Sequence, residues 1–338
     1  MRHMSVSGAV LGGRWLIRCG AMIFLLLATM LWAQPSLAQY PDRPLKIILA
    51  WPPGGLADSL ARMIADHLGK AFNQAAVVEN RPGAFGIIGT QMAAKMPADG
   101  YGLQFVTAET HIINPLVYKS LPYDAARDFE PVAMLVRASF VLAAKADLDA
   151  NNVPELIAQS RAKPGRYTAG SYGVGSTSHI ALASLEQATG TEFAHVPYQG
   201  VAPVVNALIG GQVDVAFVVP SVVEQHRKAG RVKILGTATA NRISNVADVA
   251  TFSEQGAPPV EGGNWYGIVA PRGVPEAIRE RIAGELQKLA TSSMFVDRVN
   301  GAGAKVEFKD PAQFAAFLRS EEHRLSGVVK EKKIQLSQ

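Results

Sequence analysis

Cysteine is nearly missing from this sequence. Of 338 residues one is a cysteine, Cys19, and it lies inside an N-terminal apolar stretch. That excludes a disulfide framework and a thiolate metal site. Nor does Cys19 stand at a processing boundary, where a lipoprotein would be acylated. Paired histidines are missing as well: the seven, at 3, 67, 111, 179, 195, 226 and 323, form no HxxxH or comparable spacing, so no metal is expected. No charge run, low-complexity tract or short repeat occurs. Beyond the N-terminus no segment is long and apolar enough to span a bilayer.

The N-terminal apolar run, 21–32, is itself too short, at about 12 residues against the ~20 a membrane-spanning helix needs. Arg14 and Arg18 precede it, and Ser36-Leu37-Ala38 follows, then Gln39. This pattern predicts a secretory signal peptide over 1–38, cleaved after Ala38, and a periplasmic mature protein. The basic character goes with it. The whole chain carries 33 Lys and Arg against 28 Asp and Glu; losing Arg2, Arg14 and Arg18 leaves 30 against 28, a net of +2. A nucleic-acid partner therefore has no electrostatic footing. The remainder, about 300 residues, suits two lobes of ~100–150 each.

From Pro44 the chain repeats a short apolar run, a Gly- or Ser-bearing turn and a helical stretch. Residues 45–51 read as a buried strand, and Leu60, Met63, Ile64 and Leu68 follow at helical spacing. Further strands are expected at 77–78, 103–107, 131–144, 167–170, 193–196, 213–219, 232–237 and 265–270. Helices are expected through Ile87, Ile88, Met92 and Met96, from Val153, near 176–189, 201–209 and 221–229, and from Pro275 and Pro311. Such alternation predicts an α/β protein whose mostly parallel sheets are flanked by helices. The units fall in two runs, divided by strands near 136–145 and 265–270. Two lobes follow, 39–140 plus 270–338 and 141–269, with the crossing segments as a hinge. One large doubly wound sheet is the alternative.

Ligands of such sheets bind beyond the carboxyl ends of the strands, and three turns there are rich in Gly or hydroxyl residues. The first is 51–58, where Pro52 and Pro53 stiffen the strand exit and Gly54 and Gly55 let backbone amides approach a ligand. A helix start offers unpaired amides and partial positive charge, which suits a carboxylate. Asp58 reads equally as a first-turn acid. The second, 80–89, places Gly83, Ala84, Phe85 and Gly86 in a GxxGxxG pattern with no Lys-Ser/Thr after it, which argues against a nucleotide and leaves a smaller anion. The third, 171–179, holds Ser176, Thr177 and Ser178 at a helix start, able to cap it or to donate to an anion. Thr107, Thr110 and His111, after the third strand, lie where they could line the same cleft. Residues 169–173 also admit a nucleophile at Ser171 with His179 or His195, but the first glycine of the elbow and an acid partner are missing.

These segments, read in order, are recognisable. YPDRPLKIIL at 40–49, PPGGLAD at 52–58, VVENRPGAFGIIG at 77–89 and THIINPLVYKSLPYD at 110–124 open the series. DFEPVAML at 128–135, KPGRYTAGSYGVGSTSH at 163–179, HVPYQG at 195–200, GGQVDVAF at 210–217 and NWYGIVAP at 264–271 continue it. The chain resembles the Bug-type (Bordetella uptake gene) family, the substrate-binding proteins of tripartite tricarboxylate transporters. The resemblance implies the two-lobed periplasmic binding protein architecture and no catalysis or cofactor. It also implies a small carboxylate held largely by backbone amides, hydroxyls and water from the first two loops. Carried over onto matching positions are Pro53, Gly54, Gly55 and Asp58, then Gly83, Ala84, Phe85 and Gly86, with Ser176, Thr177 and Ser178 facing them. Implied partners are the membrane permease subunits or a sensor protein, to a monomeric receptor.

Some positions depart from the family pattern. Val218 and Val219 stand where an Asp-Asn type pair is common, Phe85 where glycine is common, and Glu109 adds an acid near His111. A wall of Val218, Val219 and Phe85, with Trp265 or Tyr266 as further candidates, would favour an apolar or aromatic tail over a second carboxylate. Burying a carboxylate there without donors costs roughly several kcal/mol. The other reading of these residues is core. A periplasmic hydrolase using Ser171 and a ligand sensor for a signalling partner are the competing functions.

Overall fold

The structure, a computed structural model, describes residues 40–336; the expected signal peptide lies outside the described residues. From Arg43 onward the described residues form one compact unit that holds two sheets. Its first strand, Leu45–Leu49 (β1), buries Leu45, Ile47, Ile48 and Leu49. Burial on both faces belongs to a strand inside a helix-covered sheet. Parallel neighbours flank it, Ala76–Asn80 (β2) and Gly102–Thr107 (β3). Helix Leu56–Phe72 presents Leu60, Ala61, Ile64, Ala65 and Leu68 inward and ends on Asn73 in the left-handed conformation.

Phe129–Ser139 (β4), Val141–Lys145 (β5), Thr168–Ser171 (β6), Ala194–Pro197 (β7), Val215–Val218 (β8), Val232–Thr237 (β9), Gly263–Pro271 (β10) and Lys305–Lys309 (β11) complete the strands. The first sheet has the order β11-β4-β10-β3-β1-β2 and the second β7-β6-β8-β5-β9. Helices flank both, giving two α/β lobes. The pattern of alternation suggested mostly parallel sheets; both are in fact mixed. Each has two parallel pairings, while β10 runs antiparallel to β3 and β4, β11 to β4, and β5 to β8 and β9. Topology explains the pair β4 and β10. A chain that leaves a sheet on one strand and returns on its neighbour must run in opposite directions on the two.

The crossings lie side by side. The long strand expected at 131–144 breaks at Phe140, where the chain passes from the first sheet to the second. It returns at Gly262, so β10 lies wholly in the first sheet. Phe140 N donates to Gly262 O (3.0 Å), Ala238 N to Phe140 O (2.9 Å) and Gly262 N to Ala238 O (3.0 Å). Next in line, Gly263 approaches the outgoing strand so closely that a Cβ would sit 2.4 Å from Ala138 O. Only glycine fits there.

Helix Thr177–Thr189 follows β6 of the second sheet, yet its Ile180 and Ala183 pack into the core cluster of the first, with Ile113, Phe129, Trp265 and Phe314. Helix Pro311–Glu331, started by a capping box on Asp310 and Gln313, meets it from the other side. Fully burying an Ile contributes roughly 1.5–3 kcal/mol. The two sheets are therefore joined by a shared apolar seam as well as by two crossing segments.

Candidate functional site

The carboxyl ends of β1, β3, β6, β7 and β8 open onto one cleft of about 1470 Å3. Its walls come from both sheets. On the first-sheet side, the turn after β1 brings Trp51, Pro52, Pro53, Gly54, Gly55, Leu56 and Ala57 to the surface of the cleft. Gly55 caps the helix Leu56–Phe72 without a side-chain hydrogen bond, so the amides of that first turn are left to face solvent or ligand.

Asp58 does not line the cleft. Its carboxylate accepts from Gly54 N (3.1 Å), from Arg62 Nε (3.0 Å) and Nη2 (2.9 Å), and from Asn80 Nδ2 (3.0 Å). Asn80 Nδ2 also donates to Trp51 O (3.0 Å), tying β2 to the turn. The Arg62 guanidinium, ahead of Asn80 and the Gly54 amide, holds Asp58 at about 2, against the cost of its burial. Asp58 is a strut for the turn.

The second turn has an unusual backbone. Four consecutive residues have positive φ: Gly83 (135°), Ala84 (45°), Phe85 (51°) and Gly86 (86°). For phenylalanine this conformation is strained and persists only where surroundings impose it. Those surroundings are hydrogen bonds from behind. Asn114 Nδ2 donates to Phe85 O (3.0 Å), and Thr90 Oγ1 to Gly86 O (2.8 Å), with buried Gln104 donating in turn to Thr90 Oγ1 (2.8 Å). With carbonyls anchored on the protein side, the turn lies against the cleft through Gly83, Ala84, Phe85 and Gly86. The Phe85 ring reaches across it: a Cβ on Gly173, on the second-sheet side, would come within 2.9 Å of Phe85 Cζ.

The third turn behaves differently from expectation. Ser176 and Thr177 line the cleft and Ser178 does not, and all three hydroxyls are already engaged. Ser176 Oγ accepts from His179 N and donates to Gly173 O (2.7 Å), Ser178 Oγ accepts from Tyr172 N (2.9 Å), and Thr177 Oγ1 donates to Glu109 Oε1 (3.0 Å). A self-capped helix has little left for an anion. The bare helix start on this side is another one, Val201–Ile209. Gly200 (φ 106°) precedes it with no side-chain cap, and Tyr198, Gln199, Gly200 and Val201 line the cleft. The HVPYQG segment carried that signal, a glycine directly before a helical run.

Thr107 and Val219 line the cleft, while His111 and Val218 do not. The chain after β3 makes one wide π-type turn, Glu109–Ile113, and positions two apart on a helical turn face different ways. Glu109 meets the cleft; His111 is buried against Phe129 (4.9 Å), its imidazole pushed down to about 3 by burial. Val218 is core by strand alternation, as is Trp265 beside Phe314 and Phe317 (5.5 and 5.7 Å). Tyr266, next along β10, faces the cleft with Phe140 and Tyr172. Burial raises both tyrosine pKa values.

Ser171 Oγ lies 2.6 Å from His195 Nε2, the contact a hydrolase reading needs. Ser171 is nevertheless fully buried and outside the cleft, and His195 stacks on His179 (3.9 Å, 4°), with no carboxylate bonded to it among the described residues. A buried hydroxyl without a path to substrate cannot serve as a nucleophile.

A family model described as "Tripartite tricarboxylate transporter family receptor" matches residues 60–334. Protein BugT of Bordetella pertussis is 32% identical over 313 residues, covering 92% of this chain and 96% of its own. The solved structure "R. palustris Rpa4515 with adipate" superposes with a TM-score of 0.77 at 30% identity, covering 88% of this chain and 100% of that one. MatC (Rpa3494) from Rhodopseudomonas palustris, solved with bound malate, gives a TM-score of 0.73 at 27% identity, covering 86% and 100%.

Proposed function

We propose, since the chain belongs to the tripartite tricarboxylate transporter receptor family, that it is an extracytoplasmic solute-binding protein which captures a small organic acid by its carboxylate. One observation carries the reading. Uncapped helix starts at Gly55 and Gly200 and the strained turn Gly83–Gly86 converge on a single cleft, whose one cationic lining residue among the described residues, Arg298, follows Asp297 in the chain. Helix starts of this kind favour an anion through aligned amides. The relatives solved with adipate and malate support the same class of ligand.

In this reading Pro53, Gly54, Gly55, Gly83, Ala84, Phe85 and Gly86 receive the carboxylate on the first-sheet side. Gly200 and Val201 close over it from the second. Thr107, Ser176, Thr177, Val219, Phe140, Tyr172 and Tyr266 line the space left for the remainder of the solute. The lobes meet at Phe140 and Gly262, and the adjacent crossings let one rotate on the other; the ligand favours the closed form only through contacts better made there. The protein is exported through its N-terminal signal, catalyses no reaction, and delivers its solute to membrane permease subunits or to a sensor. Isothermal titration with mono- and dicarboxylates, aromatic ones included, tests this. Heat of binding from one or more acids is expected; tight binding of a sugar with none from any acid would overturn the ligand class.

A further inference from the structure

Glu109 is a buried carboxylate in the wall of a cleft read as an anion site. Thr177 Oγ1 donates to its Oε1 (3.0 Å), and Asn264 Nδ2 to Oε1 (3.1 Å) and Oε2 (2.9 Å). Both donors are neutral, and no Lys, Arg or His pairs with Glu109 among the described residues. A carboxylate accepts about four hydrogen bonds, so Oε2 retains one open position.

The neighbourhood is equally specific. Thr107 stands opposite Tyr266 in the pairing of β3 with β10, and Asn264 lies two residues before Tyr266. Asn264 Oδ1 accepts from Ala108 N (3.1 Å), which fixes it between Thr107 and Glu109. Thr107 Oγ1 is buried, belongs to the cleft lining and has no hydrogen-bond partner. Tyr266 and Tyr172 lie near enough for the Glu109 charge to help raise their hydroxyl pKa values, after burial. A carboxylate, an unpartnered hydroxyl and aromatic rings around one spot form a receptacle for a cation.

Resting on the carboxylate-capture reading, we propose that the solute also carries a cationic nitrogen, an ammonium group at the end away from its carboxylate. Glu109 Oε2 and Thr107 Oγ1 accept its protons, and Tyr172 and Tyr266 flank it. A second carboxylate at that end would instead meet a like charge in a poorly solvated wall.

Two matched sets of ligands test this by isothermal titration: valerate, δ-aminovalerate and adipate, and para-toluate, para-(aminomethyl)benzoate and terephthalate. In one set or both, the amino member is expected to bind at least about tenfold tighter than its neutral and diacid counterparts, the range of a hydrogen bond to a charged group. Glu109→Gln should abolish that preference, and Thr107→Val should reduce it severalfold. The wild-type ranking decides alone should Glu109→Gln not fold. A diacid that binds as tightly as the amino member in both sets, or a preference surviving in Glu109→Gln, overturns the cation site and leaves carboxylate capture standing. Absence of binding by every member of both sets overturns both.

Discussion

At the scale of single residues, Asp58 shows how a side chain can serve a binding turn without touching a ligand. All four of its lone-pair positions are taken, by Gly54 N, Arg62 and Asn80. Asp58→Ala should raise the Kd for the best-bound acid about tenfold and lower stability by about 1–2 kcal/mol. Arg62 is half exposed, which keeps the latter figure small. Titration calorimetry and thermal melts measure the two effects. The carboxyl is depressed in the folded state, so its contribution is complete above the ordinary carboxylate range and disappears as pH falls through about 2. The glycine turns were legible because Pro-Pro-Gly-Gly and GxxGxxG have few other uses between a strand and a helix. Glu109 was legible only as an odd acid. Its partner Asn264 is 155 positions away, and no local pattern announces a hydrogen bond of that span. His111 misled for a related reason: a single π-type turn decides which residue faces the cleft, and propensity does not register it.

Among the elements, helix Thr177–Thr189 and β7 meet through two stacked imidazoles, His179 and His195. Burial, then the charge of His195, pushes His179 down to about 4, and burial lowers His195 as well. The folded state thus prefers both rings neutral while the unfolded chain takes up protons near the usual histidine value. Stability from this pair is complete above about pH 6.5 and declines as the pH falls toward 4. Melting temperatures measured from pH 7 down to pH 5 should fall, with a shallower slope in His195→Gln. Strands were easy to find wherever apolar residues ran together, as in β1, β3, β8 and β9. The exception is β11, Lys305-Val306-Glu307-Phe308-Lys309, an edge strand whose alternating charges look like surface. Its Glu307 accepts from Arg137 Nε of β4 (2.8 Å), a contact between distant segments that only the fold creates. The break at Phe140 was hidden likewise, since both sides of it are apolar and buried.

For the molecule as a whole, the contacts that join the two sheets decide what closure is open to it. In the closing-cleft reading the two adjacent crossings serve as the hinge, and the seam of Ile180 and Ala183 against Ile113 and Phe314 would confine the movement to the mouth of the cleft. There the sheets are joined more lightly, by Ser221 Oγ donating to Ala302 O (2.8 Å) and by Phe85 over Gly173. Small-angle scattering should record a smaller radius of gyration when a bound acid is added, and no change with a compound that does not bind. An unchanged radius on saturation would leave a rigid receptor in place of a closing one.

The uncapped helix starts have one more effect. Partial charges on amides fade within a turn of helix, whereas a cluster of lysines would cast a field out to the Debye length, roughly 8 Å at physiological ionic strength. A receptor of this make should therefore lose less affinity on a rise in ionic strength than one built on a lysine cluster, and calorimetric titration across a range of salt concentrations measures the difference. Sorting happens at contact, by shape and by the placing of protons.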